Sequence, residues 1–200
     1  MIEQWTITYD KSNDEKALVK VLFSEHMKGL IEFNVELNTI PIKDDQGKDI
    51  TVNFKMFNGF NPEGKFWTDS NGLEMMPREI YNYSSVTEKY TNILPKIGFT
   101  YKNISRNYYP VDSAIAMRDF QKNSSLQVTV LNDRPQGGSA DLSSPATIEL
   151  MQHRRILMQD EYGAGTGINE TDKDGFGIRV TARYFMHIHD TSKGQSLQRE

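Results

Sequence analysis

Hydrophobic and polar residues alternate along several stretches of this chain, and the alternation predicts its secondary structure. The clearest case runs from Leu30 to Leu37, where every second side chain is apolar. A two-residue period is typical of a strand with one buried and one solvated face. Residues 50–57 repeat it, with these side chains predicted to point inward: Ile50, Val52, Phe54 and Met56. We expect the two runs to form a long antiparallel hairpin around a turn at residues 43–48, where Gly47 supplies a positive φ.

Further strands are predicted every ~10 to 20 residues, each bounded by Gly, Pro, Asn or Asp. They cover residues 4–9, 18–23, 66–68, 108–117, 127–131, 147–158 and 180–188. A tight turn is predicted at residues 69–72. Residues 73–105 are the least readable section, and we expect a loop or a fragmentary pair of strands there. No helical period of 3.6 residues persists along the chain. The pattern therefore predicts an all-β protein, built as an antiparallel β-sandwich.

One connection between predicted strands differs from the others in length and composition. The strand over residues 127–131 is interrupted at residues 132–139, where Gly137 and Gly138 are expected to adopt φ values that other residues avoid. The unit is then a strand, a long glycine-bearing loop and a second strand. A loop of this kind can present polar side chains to a ligand from a rigid support. The candidates are Asp133, Arg134 and Gln136.

Composition limits the class of function. Two hundred residues suffice for one domain with a hydrophobic core. A net charge of −4 and a pI near 5.6 provide no general basic surface, so nucleic acid is not an expected partner. No apolar run reaches the roughly 18 residues of a membrane span. Because the chain has no cysteine, it has neither disulfides nor thiolate metal sites.

Four N-glycosylation sequons begin at Asn82, Asn103, Asn123 and Asn169. About two would arise by chance at this content of Asn, Ser and Thr, so the small excess leans toward a lysosomal or secretory route. The N-terminus lacks the charged start and apolar segment of a signal peptide. We therefore expect the chain to be a fragment, or its true start to lie upstream.

Three motifs, in order along the chain, carry a family resemblance. They are Phe66-Trp67-Thr68-Asp69-Ser70-Asn71-Gly72, Asn107-Tyr108-Tyr109-Pro110-Val111, and Asp133-Arg134-Pro135-Gln136-Gly137-Gly138-Ser139 with the later His153-Arg154-Arg155. With them, the chain resembles the C-terminal β region of family 38 glycoside hydrolases, the lysosomal-type α-mannosidases. The resemblance implies a galactose-mutarotase-like supersandwich over residues 1–190. The polar tail at residues 191–200 is predicted to be disordered.

The resemblance also implies what a whole enzyme of this kind does. Family 38 enzymes hydrolyse terminal α-linked mannose from glycans with retention of configuration. Their catalytic aspartates and zinc ligands belong to an N-terminal α/β domain, so we expect no catalytic residue and no metal ligand in this chain. The implied partners are that catalytic domain and mannose-containing glycans. The implied location is the lysosome or the secretory pathway.

Arginines are the residues that the resemblance places nearest the substrate. In the family, an arginine of the segment matching residues 153–155 approaches the pocket formed with the preceding domain. By position we choose Arg154 and then Arg155, which adjacent strand positions direct to opposite faces. Arg134 in the loop follows on the same reasoning. A guanidinium there would bind sugar hydroxyls or keep a catalytic carboxylate ionised, and the alternative is an ordinary salt bridge between strands or domains.

Several other residues have both a chemical and an ordinary structural interpretation. His187 and His189 share one face of a predicted strand, which suits a metal ion, but no third ligand is evident. Asp133 and Asp160 are candidates for a carboxylate pair, or for turn capping and salt bridges. Residues 172–175 resemble the start of a calcium loop, without its downstream Glu. Four aromatic residues that could stack on sugar rings are expected in the core or at an interface: Phe66, Trp67, Tyr108 and Tyr109.

A second class of function stays open on the sequence alone. The chain could be a non-catalytic carbohydrate-binding or structural β-sandwich. A carbohydrate-binding module needs a patch of exposed coplanar aromatic rings, whereas an enzyme fragment exposes a broad apolar docking face. The placement of the exposed aromatic side chains therefore separates the two.

Overall fold

The computed structural model describes residues 2–10, 16–24, 29–42, 44–80, 107–121, 124–142, 145–158 and 165–193. Most of the unreadable section at 73–105, Asp160 and three of the four sequon asparagines lie outside these ranges. The predictions made for those residues therefore lie outside the described structure.

Twelve β-strands lie within the described ranges. They are β1 (Ile2–Asp10), β2 (Lys16–Ser24), β3 (Leu30–Leu37), β4 (Lys48–Lys55), β5 (Lys65–Ser70), β6 (Glu74–Glu79), β7 (Tyr109–Val111), β8 (Ala114–Arg118), β9 (Leu126–Asn132), β10 (Gln136–Asp141), β11 (Thr147–Arg155) and β12 (Val180–Asp190). After β12, Thr191–Lys193 form a short 3-10 helix. The first three residues of the tail that was predicted to be disordered are therefore helical.

The strands form two antiparallel sheets that pack face to face. One sheet has eight strands in the order β1-β2-β3-β12-β9-β8-β5-β6, and the other has four in the order β4-β11-β10-β7. Every neighbouring pair in both sheets runs antiparallel. This arrangement confirms the predicted all-β antiparallel sandwich.

The hydrophobic core lies between the two sheets. Phe54 and Leu150 of the smaller sheet share one buried cluster with Val130 and Tyr184 of the larger sheet. Phe54 makes edge-on contacts with Phe33 and Tyr184 across the sandwich, with ring centroids 5.3 and 5.7 Å apart. Aromatic pairs of this geometry contribute about 0.5–1.5 kcal/mol beyond the area that they bury. The apolar faces predicted along β3 and β4 thus fill one shared core.

The predicted hairpin between β3 and β4 is wrong. β3 pairs with β2 and β12 in the larger sheet, whereas β4 pairs with β11 in the smaller one. Both strands are amphipathic, and they bury their apolar faces against the same core from opposite sides. The chain between them crosses from one layer to the other through the buried Ile40. In the turn that follows, the positive φ of 54° belongs to Asp45, and Gly47 needs none.

The predicted long glycine loop is also wrong. Residues 133–135 form the whole connection from β9, and Gly137 and Gly138 lie inside β10 without positive φ. Gly138 is buried between neighbouring strands, where a Cβ would lie 2.6 Å from Cγ2 of Val111 and 3.0 Å from Cδ2 of Leu150. Close packing, and not an unusual backbone conformation, therefore requires a glycine at this position.

The strand predicted over residues 108–117 is two strands in different sheets. The chain leaves the smaller sheet after β7 and enters the larger sheet at β8. The buried carboxylate of Asp69 accepts hydrogen bonds from the backbone N–H groups of Ser113 (2.9 Å) and Ala114 (2.8 Å) at this crossing. Burial alone would raise the pKa of Asp69, but these bonds and one from the Ser113 hydroxyl lower it. The carboxylate thus satisfies backbone donors at the point where the chain changes sheets.

Replacing Gly138 with Ala should destabilise the fold by about 1–3 kcal/mol, because the added methyl group overlaps Val111 and Leu150. Urea denaturation measures this cost. The control repeats the substitution in a Val111→Ala background, where the smaller side chain leaves room and the cost should fall. An equal cost in both backgrounds would contradict the packing argument.

Candidate functional site

A β-bulge in β11 determines which arginine of the Arg154–Arg155 pair faces inward. Leu150 lies on the buried side of the strand, so a simple two-residue period would also direct residue 154 inward. The register with β4 shifts at Gln152, which adds one residue to β11. Arg155 is consequently 8% exposed, while Arg154 is exposed to solvent. The two arginines point to opposite faces, as predicted, and the buried one is Arg155.

Arg155 is a buried cation with neutral partners. Its Nε donates to Oδ1 of Asn169 and its Nη1 donates to the carbonyl oxygen of Ile40, each at 2.7 Å. The guanidinium packs on Gly177, where a Cβ would lie 2.5 Å from Nη1. Within the described part of the chain, no carboxylate forms an ion pair with it. Burying a charge that has no ion-pair partner costs on the order of several kcal/mol.

Arg154 and Arg134 are exposed and already paired. Nε of Arg154 lies 2.6 Å from Oδ1 of Asp49 on β4. Nε of Arg134 lies 2.9 Å from Oδ1 of Asp133, and its Nη2 donates to the carbonyl oxygen of Thr181 at 2.6 Å. The hydrogen bond from Arg134 lowers the pKa of Asp133. Exposed ion pairs contribute ~0–1 kcal/mol, so both arginines fit the ordinary salt-bridge interpretation.

A cavity of about 520 Å³ lies against the end of β11. Residues 151–155 form one wall, and the chain before β12 forms the other through Ile168, Glu170 and Ile178. The β10–β11 register places Arg134 toward the same end of the smaller sheet, but Arg134 does not line the cavity. The structure therefore brings Arg154 and Arg155 to one cavity and leaves Arg134 outside it.

The wall formed before β12 was not predicted as part of the site. Asn169 had been noticed only as a sequon residue, yet its side chain orients Arg155. Gly177 makes room for the guanidinium. The run of glycines in this segment was the available signal, because a glycine lets backbone approach a bulky side chain closely.

The residues that line the cavity do not include the carboxylate pair of a glycosidase. Among the cavity-lining residues of the described chain, Glu170 is the one carboxylate. Asp133 is engaged by Arg134 and by the backbone N–H of Arg183 at 3.1 Å, which fits the predicted turn and salt bridge. Glycoside hydrolysis usually needs two carboxyl groups on either side of the scissile bond. The cavity lining therefore lacks this machinery.

The described ranges contain no complete set of metal ligands. No group of three His, Cys, Asp or Glu side chains there is arranged to hold an ion. The resemblance places the zinc ligands in the N-terminal domain, and the described residues of this chain form no site for that ion. At the calcium-like segment, Oδ1 of Asp172 accepts hydrogen bonds from the backbone N–H groups of Asp174 and Phe176, each at 2.9 Å. That geometry is an exposed turn.

His187 and His189 share one face of β12, as predicted, and their rings stack. The ring centroids lie 4.8 Å apart with 17° between the planes. Nδ1 of His187 and both ring nitrogens of His189 are buried without a hydrogen-bond partner. Burial lowers the pKa of both residues, and the charge of Arg118 lowers that of His189 further against the opposing effect of Asp190. Burial therefore favours the neutral form of both rings.

The aromatic residues of the family motifs have packing roles. Phe66 is fully buried and contacts Tyr109 edge-on, with centroids 5.7 Å apart. Trp67 lies beside Phe120 with centroids 6.2 Å apart and ring planes tilted by 33°. The hydroxyl of Tyr108 is hydrogen-bonded to a carboxylate of β11. These contacts agree with the expected core and interface roles.

Two packed antiparallel sheets, with an arginine-lined cavity at one end, define the described part of the chain as a β-sandwich domain. Residues 4–162 match the model of the glycosyl hydrolases family 38 C-terminal domain. The chain therefore belongs to glycoside hydrolase family 38, through that domain.

Curated relatives agree with this assignment. The chain is 32% identical to a lysosomal alpha-mannosidase of Mus musculus over 169 residues, covering 84% of this chain and 15% of the relative. It is 36% identical to that of Bos taurus over 156 residues (78% and 14%) and 33% identical to that of Homo sapiens over 163 residues (82% and 14%). The chain thus spans about one seventh of the length of these relatives.

Among solved structures, a galactose mutarotase related enzyme from Lactobacillus acidophilus is similar at a TM-score of 0.41 and 12% identity, covering 95% of this chain and 68% of that one. In the described ranges, no helix has the length and apolarity that crossing a membrane requires.

Replacing both His187 and His189 with Phe should make folding stability less dependent on pH. Because folding lowers both pKa values below the ordinary 6.5, the unfolded chain binds protons more readily. Stability is then complete above about pH 6.5 and declines as the pH falls through the folded pKa values, whereas Phe does not titrate. Urea unfolding of both proteins between roughly pH 8 and pH 5 tests this. Equal losses of stability over that window would exclude the histidines as the cause.

Proposed function

We propose that this chain serves as the C-terminal β-sandwich region of a retaining α-mannosidase that hydrolyses terminal α-linked mannose in glycans. The match of residues 4–162 to the family 38 C-terminal domain is the observation that carries the proposal. In this role the sandwich packs on an N-terminal catalytic domain and completes the rim of its pocket. In this role, the catalytic domain supplies the two carboxylates and holds any zinc ion. The cavity lining contains no carboxylate pair, and the described residues contain no set of metal ligands.

Arg155 is the rim residue that the geometry supports best. It lines the cavity, Asn169 and Ile40 hold its guanidinium in place, and no described carboxylate neutralises it. A cation held in this way is prepared to bind a sugar hydroxyl or the carboxylate of a docked catalytic domain. Arg154 lines the same cavity but is compensated by Asp49. Arg134 is the weakest candidate of the three, because its guanidinium is already bonded to Asp133 and to a backbone carbonyl oxygen.

The lysosome or the secretory pathway is the proposed location. The relatives at 32–36% identity are lysosomal alpha-mannosidases, which supports this route. Asn169 is the sequon asparagine that the structure describes, and it is exposed. Its Oδ1 is engaged by Arg155, so a glycan there would stand beside the proposed rim.

No observation favours the alternative of a carbohydrate-binding module. The Phe, Tyr and Trp ring pairs between described residues meet edge-on at 64–85° or tilted at 33°. A flat platform for a sugar needs coplanar exposed rings. None of these contacting Phe, Tyr and Trp pairs forms such a platform.

The proposal predicts that residues 1–200 alone will not hydrolyse a chromogenic α-mannoside. The polypeptide that also carries a family 38 catalytic domain should hydrolyse it, because that domain supplies the catalytic carboxylates. The assay measures release of the chromophore, with and without added zinc. Activity of residues 1–200 alone would refute the division of roles, and a glycan screen without hydrolysis by either protein would favour a binding module.

In the polypeptide that carries the catalytic domain, Arg155→Lys should lower kcat/KM by roughly 10- to 100-fold, the effect of losing one charged hydrogen bond in the transition state. The matched control is Arg154→Lys, whose partner Asp49 is at the surface and whose effect should stay within about threefold. Urea unfolding of both variants separates a loss of folding from a loss of rim contacts. A larger loss in the Arg154 variant, or no loss in either, would overturn the assignment.

A further inference from the structure

Three glycines from separate segments bring backbone close to the end of β11. At Gly47, a Cβ would lie 3.2 Å from the carbonyl oxygen of Arg155, and at Gly177 it would lie 2.5 Å from Nη1 of the same residue. At Gly167, a Cβ would lie 2.7 Å from the carbonyl oxygen of Ile156. A side chain at Gly167 or Gly177 would therefore push the surrounding segment away from the arginine. The main chain thus closes on Arg155 from three sides.

Backbone hydrogen bonds fix Asn169 beside Arg155. The N–H of Ile156 donates to the carbonyl oxygen of Ile168 at 2.9 Å, and the N–H of Asn169 donates to the carbonyl oxygen of Gly167 at 3.0 Å. The segment before β12 is therefore held against the end of β11. Because all of these contacts lie within the domain, they do not depend on what packs around it in a longer polypeptide.

The acceptors that the described residues present to Arg155 are neutral. They are Oδ1 of Asn169 for Nε and the carbonyl oxygen of Ile40 for Nη1, each at 2.7 Å. An aspartate has nearly the same shape as an asparagine, and at position 169 it would form an ion pair with the guanidinium. That pair would lower the cost of burying the charge, but it would also compensate the charge. An amide orients the guanidinium and leaves its positive charge available.

We propose that Asn169 is a positioning residue that holds the Arg155 guanidinium in place without neutralising it. The inference rests on the rim role proposed for Arg155. In that role the guanidinium binds a sugar hydroxyl or a carboxylate of the catalytic domain, and a hydrogen bond from an ionised donor is stronger than one from a neutral donor. Asn169 does not line the cavity, so it acts through Arg155.

Two substitutions of Asn169 separate this role from a merely structural one. In the polypeptide that carries the catalytic domain, Asn169→Asp should lower kcat/KM by about 10-fold, because the new carboxylate competes for the guanidinium. Its midpoint of urea unfolding should equal or exceed that of the parent, since the buried charge gains a partner. Asn169→Ala should lower both quantities, because Nε loses its acceptor. Activity that follows stability across the three proteins would overturn the proposal.

The route through Arg155 allows a second measurement. The loss should divide between kcat and KM in the same way for Asn169→Asp as for Arg155→Lys, because both substitutions change the same guanidinium contact. For the same reason, the two losses should be less than additive in the double variant. If Arg155→Lys lowers kcat/KM and Asn169→Asp does not, this inference alone fails. If Arg155→Lys leaves kcat/KM unchanged, the rim role fails with it.

Two controls account for the added charge and for the sequon. Asn58→Asp adds the same charge in an exposed turn beyond the end of β4 that pairs with Thr147, away from Arg155. Thr171→Ala removes the sequon of Asn169 but keeps its amide. Both variants should keep kcat/KM within about twofold of the parent. A loss in either control as large as that of Asn169→Asp would assign the effect to charge in general or to a glycan, and would overturn the role of the amide.

Discussion

Close packing around Gly138 is the constraint on which the smaller sheet depends. At this point β10 lies between β7 and β11, with Val111 and Leu150 filling the space that a Cβ would need. Ile115 of the larger sheet approaches the same position at 3.4 Å. The contact therefore sets both the spacing of the strands and the distance between the layers. Once β10 is seated, β11 is aligned along it, and the end of β11 reaches the cavity.

The buried guanidinium of Arg155 follows from that alignment and from one extra residue. The bulge at Gln152 adds one residue to β11 and so exchanges the side chains that face inward and outward beyond it. Arg155 therefore faces inward and Arg154 faces solvent. A buried cation with neutral partners is costly, and a fold that retains one usually has a use for it. Here the cost is reduced by two fixed acceptors. This is the physical basis of the rim role proposed for Arg155.

The cavity at the end of β11 and the β1 edge lie on different sheets and differ in chemical character. The cavity lies at one end of the smaller sheet and is marked by Arg155, which forms no ion pair with a carboxylate of the described residues. The β1 edge lies at the margin of the larger sheet and is marked by apolar side chains in water. Neither reflects a defect of the core, which is continuous between the layers. At the cavity, the Arg155 guanidinium has no ion-pair partner among the described residues. At the β1 edge, apolar side chains are exposed to water.

The sequence by itself determined the class of fold, most strand positions and the family. Alternation along β3 and β4 is a local property, and three ordered motifs are specific enough to identify family 38. Only the tertiary structure decided which strands are neighbours, because alternation shows that a face is buried but not what covers it. It likewise decided that Gly137 and Gly138 lie in a strand, and that Arg155 faces inward. Those outcomes depend on contacts with distant residues, and a single inserted residue is enough to reverse a side chain's direction.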